Sequence, residues 1–186
     1  MGVKLVSSGG GSVEINPPAT ASGYIATMPA GTGTVALYGQ GATVATTSGT
    51  AVDFTGIPSW VKRITVLLNN VSFATSSNII VQLGTSGGVE NTGYSSTASS
   101  GTTVANLTTG FIVEGVASAA TGQTGILTIA TLGSNLWVQS GATGLGNATA
   151  VNVSAGSKTT VGTLDRVRIT GNGATFDAGS VNIIWE

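Results

Sequence analysis

Little in this chain could carry acid–base or nucleophilic chemistry. Its 186 residues hold seven carboxylates and six lysines and arginines, with no histidine and no cysteine. Disulfides, thiol chemistry and His or Cys metal sites are therefore excluded. Hydrolysis by paired carboxylates needs two acids held about 5–10 Å apart. Among Glu14, Asp53, Glu90, Glu114, Asp165, Asp177 and Glu186, the pair Asp165 and Asp177 is expected to lie in facing strands near the end of the sequence. Lys62, Arg63, Arg166 and Arg168 are expected close by, so an ion-pair cluster that sets strand register competes with catalysis there. A Ser or Thr nucleophile would need Lys as its base, and no local pattern supports one. Asn69, Asn70, Asn172 and Asp177 offer oxygens to a hard cation, but their spacing matches no known loop, and turn chemistry explains them more simply. No catalytic residue, cofactor or metal ligand is assigned.

Aromatic side chains are the other possible contacts. Trp60, Trp137, Trp185, Tyr38 and Tyr94 could stack on a sugar ring. Trp60 and Trp185 read instead as core or interface anchors, which leaves Tyr94 as the exposed candidate for glycan contact. Four Asn-X-Ser/Thr sites, at Asn70, Asn106, Asn147 and Asn152, fit the glycosylation pattern, as chance matches do in a chain so rich in Ser and Thr.

The elements that must position these groups are strands. From Arg63 the sequence alternates, with Ile64, Val66 and Leu68 on one face and Arg63, Thr65 and Leu67 on the other. This is expected to be the central strand, paired in a hairpin with a strand over residues 78–84. Further strands are expected at 51–54, 110–116, 125–132, 136–140, 164–170 and from Val181 to Trp185, with a short edge piece at 151–153. Residues 87–109 read as one weak strand and a long surface loop, and residues 141–149 as another glycine-rich loop. Strand spacings near ten residues and no helical period predict an all-β, jelly-roll-like antiparallel sandwich over residues 41–186.

Residues 1–40 differ from the rest. Short strand pieces are broken by Pro17, Pro18, Pro29 and many glycines, which predicts an extended arm. Ile15, Tyr24, Ile25, Met28, Val35 and Leu37 are too apolar for a solvated leader, so the arm is expected to pair with a neighbouring subunit. The start of the chain lacks the apolar run of a secretory signal, and Val6 stands where myristoylation needs Ser or Thr.

Charged residues make up 7% of the chain against 41% hydrophobic, and the net charge is −1. An ordinary soluble domain carries roughly 25% charged residues. Nothing here attracts nucleic acid or an anionic membrane. So neutral a surface suits packing against neighbours, because little charge must be desolvated on contact.

Two parts of the chain carry a family likeness. Gly11-Ser-Val-Glu-Ile-Asn-Pro-Pro-Ala-Thr-Ala, Tyr24 and Met28-Pro-Ala-Gly-Thr-Gly-Thr-Val35 resemble the N-terminal motif of tailed-bacteriophage virion proteins, often labelled tail fibre. Residues 57–66, 164–170 and 176–186 look like the body of the same family. The resemblance implies a non-enzymatic virion surface protein, made in the bacterial cytoplasm. With no shaft, collagen-like repeat or heptad stalk, the chain suits a homotrimeric capsid decoration or cement protein that binds the major capsid protein. The alternative is a short tail fibre whose loops, Tyr94 included, touch host glycans.

Overall fold

The apolar alternation that begins at Ile64 is satisfied by an eleven-residue strand with one face in the core and a neighbour on each side. The computed structural model describes residues 3–6, 8–15, 37–115, 119, 121–146 and 150–186. The chain divides into two units, Met1–Val35 and Ala36–Glu186. In the first, β1 (Val3–Val6) and β2 (Ser12–Ile15) form an antiparallel ribbon in which Lys4 opposes Glu14.

Among its described residues the second unit holds fourteen strands: β3 (Gly39–Gln40), β4 (Val44–Ala45), β5 (Ala51–Thr55), β6 (Arg63–Phe73), β7 (Ile80–Thr85), β8 (Gly88–Val89), β9 (Tyr94–Ser100), β10 (Thr103–Leu107), β11 (Phe111–Ile112), β12 (Gln123–Gly133), β13 (Leu136–Leu145), β14 (Val151–Thr159), β15 (Arg166–Thr170) and β16 (Phe176–Trp185). They build two antiparallel sheets. The large one runs β10-β9-β14-β13-β12-β6-β16-β3, with β4 also on β16. The small one runs β11-β7-β15-β5, with β8 on β7. Ile64, Val66, Leu127, Ile129 and Ile183 from the large sheet meet Val81, Leu83, Val167 and Ile169 from the small one in a single core. This is an all-β sandwich, as the alternating pattern predicts.

Several expectations need correction. β6 and β7 do not form a hairpin, because residues 74–79 carry the chain from the large sheet to the small one. Residues 87–109 are mostly strand: β9 and β10 pair through a turn at Gly101, where φ is +58°. Residues 141–145 continue β13, and residues 151–153 open a nine-residue strand held between β13 and β9. The boundary at residue 40 also moves, since Gly39 pairs with Trp185 and belongs to the body. A Cβ at Gly39 would fall 2.3 Å from the Trp185 indole nitrogen, so glycine there lets the ring lie flat on the neighbouring strand.

Candidate functional site

The expected acid pair does not form. Asp165 precedes β15 of the small sheet, whereas Asp177 lies on β16 of the large one. Asp165 pairs with Arg166 at 3.2 Å, and Asp177 accepts a hydrogen bond from the Ser72 hydroxyl. The basic residues are dispersed in the same way. Arg63 pairs with Glu186 at the rim of the large sheet, and Arg168 grips Asp53 by two bonds of 2.7 Å on the small one. Arg168 and Asp53 oppose each other across β15 and β5, so this pair does fix register. The guanidinium bonds hold the Asp53 carboxyl below its usual range. No group of three acidic residues is placed to hold a metal ion among the described residues.

Tyr94 is not an exposed glycan platform. It is 4% exposed, packs edge-on to Phe111, and its hydroxyl accepts the Leu83 N–H at 2.6 Å. Burial raises its phenol above the ordinary range. Lys158 lies 5.3 Å from its ring centre and 2.6 Å from the Glu90 carboxylate, making a buried ion pair. Trp137 is buried and Trp185 half-buried, while Trp60 is exposed and so is no core residue. Of the six arm residues expected at a subunit contact, Tyr24, Ile25, Met28 and Val35 lie outside the described residues. Ile15 ends β2, and Leu37 is exposed just before β3.

The unusual surface is the outer face of the large sheet. On β14 the expected polarity is reversed. Asn152 and Ser154 point inward and are buried, while Val151 and Val153 point outward and are exposed. The reversal has a cause on the inner side. The Asn152 amide donates to Gln123 Oε1 at 3.0 Å and to Thr143 Oγ1 at 3.3 Å, and the Gln139 amide donates to Ser154 Oγ at 2.9 Å. These bonds offset part of the cost of burying the amides, whose Asn152 Oδ1 and Gln139 Oε1 oxygens stay unpaired among the described residues, and they fix which face of β14 looks in. A single-residue slip would expel them. The valines are consequently held in solvent.

Cross-strand register gathers such residues into rows. One row runs Asn182, Leu67, Ile126, Ala142, Val153, Ser99, Val104 across seven strands. Ile126, Val153 and Val104 are 51%, 55% and 59% exposed. The next row runs Ile184, Thr65, Thr128, Ser140, Ala155, Thr97, Asn106. Neither row contains an ionisable side chain. Beside Leu67 and Ile126 the face sinks into a groove of about 520 Å³, which Asn69, Thr124, Ser180 and Asn182 also line.

No family model, curated protein or solved structure matches this chain. The function must be argued from the chemistry of the face. By contrast with that face, the outer side of the small sheet carries Asp53, Arg166 and Arg168. Sequence reasoning had missed the neutral face because β14 alone looks like an edge fragment. The signal was the pattern Val151-Asn-Val153, in which two valines flank the amide that turns inward.

Proposed function

We propose that this chain is a non-enzymatic structural protein of a tailed-bacteriophage virion, a jelly-roll-like decoration or cement protein on the head. The observation that carries the structural role is the outward-facing aliphatic and hydroxyl surface of the large sheet, with no charge in its two central rows. Such a surface is costly to leave in water and cheap to desolvate, which are the properties of a packing contact. The phage setting comes from the resemblance of residues 11–35 and of the body segments.

The mechanism is linkage. A subunit that binds only the assembled shell shifts the equilibrium toward that shell, and repeated weak contacts add avidity. The partners are further copies of the chain and the major capsid protein. The glycan-binding alternative loses its named residue with Tyr94 buried. The reading is tested by copy number and position in the virion, from quantitative mass spectrometry and cryo-EM. Many copies distributed over the head are expected. A few copies confined to the tail would overturn the cement role.

A further inference from the structure

We propose that two copies of this chain pack the outer faces of their large sheets together, about a two-fold axis that runs along the strands over Ala142. The inference rests on reading the chain as a self-assembling structural protein, and it names the partner of the neutral face: a second copy of the same face.

Three observations select that occupant. The first is charge. The central rows hold aliphatic, hydroxyl and amide side chains alone, so a nucleic acid, an anionic bilayer or a charged peptide finds no counter-charge there. A copy of the same face meets it without burying any unpaired ion. The second is symmetry within the row. Ala142 is the middle of the seven positions, with Ile126 on one side and Val153 on the other. Rotation about an axis over Ala142 sets Ile126 against the partner subunit's Val153 and Val153 against the partner subunit's Ile126. The two alanines face each other and leave room for the larger pairs to interdigitate. An isologous contact requires this self-complementarity.

The third is area. Seven strands span six spacings of about 4.8 Å, and four outward rows, about eight residues at roughly 3.3 Å, set the other edge, giving close to 750 Å² per copy. The row beyond the central two adds Ala130, Val138, Ser157 and Ser95 and, at its rim, Arg63 and Glu186, which are already paired with each other. A stable interface buries about 800 Å² per partner. Two sheets of one hand of twist also fit face to face at a small crossing angle, as the two layers of a sandwich do. The two-fold contact takes the place of the trimer that the resemblance implies.

The test uses the full chain. Sedimentation equilibrium is expected to give a dimer at about 100 μM, and the double variant Ile126→Glu, Val153→Glu a monomer with unchanged circular dichroism. Both residues are more than half exposed, so the carboxylates are solvated in the free subunit. Because the chain has no cysteine, Ala142→Cys adds a second, fold-preserving readout: a short bis-maleimide is expected to join two copies through it. Ala51→Cys, exposed on the edge strand of the small sheet, should not be joined. A wild-type monomer at that concentration, a double variant that stays oligomeric, or equal crosslinking of the two cysteine variants would each overturn the proposal. Dimers in solution from a chain missing from the virion would sink the virion reading alone. Isolated copies on the head with uncovered outer faces would sink the two-fold contact alone.

Discussion

Glu114 shows how far one buried side chain can set the behaviour of this sandwich. Its carboxyl is buried, and one oxygen accepts the Ile79 N–H at 2.8 Å. Burial outweighs that bond and pushes its pKa up from 4.5 to about 7. The folded state thus favours the protonated acid. Its contribution is complete below about pH 4.5 and is lost as pH rises through about 7, a swing of about 3 kcal/mol. Urea midpoints should fall between about pH 5 and about pH 8, and Glu114→Gln should abolish that slope and exceed the wild type at the alkaline end. A flat wild-type profile would show that the carboxyl is better solvated than its surroundings indicate. The Tyr94 cluster yields a second expectation. Tyr94→Phe keeps the ring under Lys158 but orphans the Leu83 N–H, which costs about 1–3 kcal/mol in denaturant titration. Lys158→Met leaves the Glu90 carboxylate buried without its cation and should cost about 3–5 kcal/mol. Adding Glu90→Gln to that variant should recover part of the loss, and no recovery would mean that the ion pair is not what holds Lys158.

Strands were legible in the sequence where apolar residues pointed inward. β6 and β15 declare themselves because Ile64, Val66, Leu68, Val167 and Ile169 fill the core while their neighbours, Leu67 excepted, are polar. β9 and β14 showed only as fragments because their inward residues are Tyr94, Ser96, Ala98, Asn152, Ser154 and Lys158. Hydrogen bonds carry the burial there; Ser96 Oγ, for example, accepts the Ile112 N–H at 2.9 Å. Periodicity of hydrophobicity cannot register a polar interior. Pairing was harder still, since β6 finds β12 and β16 across long stretches of sequence and not its successor β7. The bulges of β16 were invisible, yet one glycine enforces them. Gly179 adopts φ +97° within the register shift between Ala178 and Ser180, and a Cβ there would lie 2.4 Å from the Asn70 carbonyl oxygen. Gly179→Ala should destabilise by at least about 2 kcal/mol. Gly173 has a similar φ of +96° but open space around it, so Gly173→Ala should cost only about 1 kcal/mol. Equal thermal shifts in the two variants would show that φ alone, and not the contact with β6, decides the effect.

At the scale of the whole molecule, charge is sorted between the two outer faces. The small sheet keeps Asp53, Arg166 and Arg168 toward solvent, and the large sheet confines Arg63 and Glu186 to its rim and keeps hydroxyls and aliphatics in its central rows. One face is thereby suited to water and the other to a neighbour, although the composition averages both into a single low figure. The unit boundary belongs to this scale as well. Among the described residues, the hydrophobic core lies between Val44 and Trp185, which predicts a body that folds without residues 1–35. β3 is another matter, because Gly39 and Gln40 pair with Trp185 and Ile184 and close that edge of the large sheet. A chain that starts at Ala36 should melt within a few degrees of the full protein, which calorimetry reads directly. One that starts at Gly41 should be less stable by about 1–2 kcal/mol, because it uncovers the edge of β16 and the half-buried Trp185 ring. The difference between these two truncations isolates what β3 contributes. Equal stability of both would mean that β16 tolerates an open edge, and a chain from Ala36 that does not fold would mean that the body draws on its N-terminal unit.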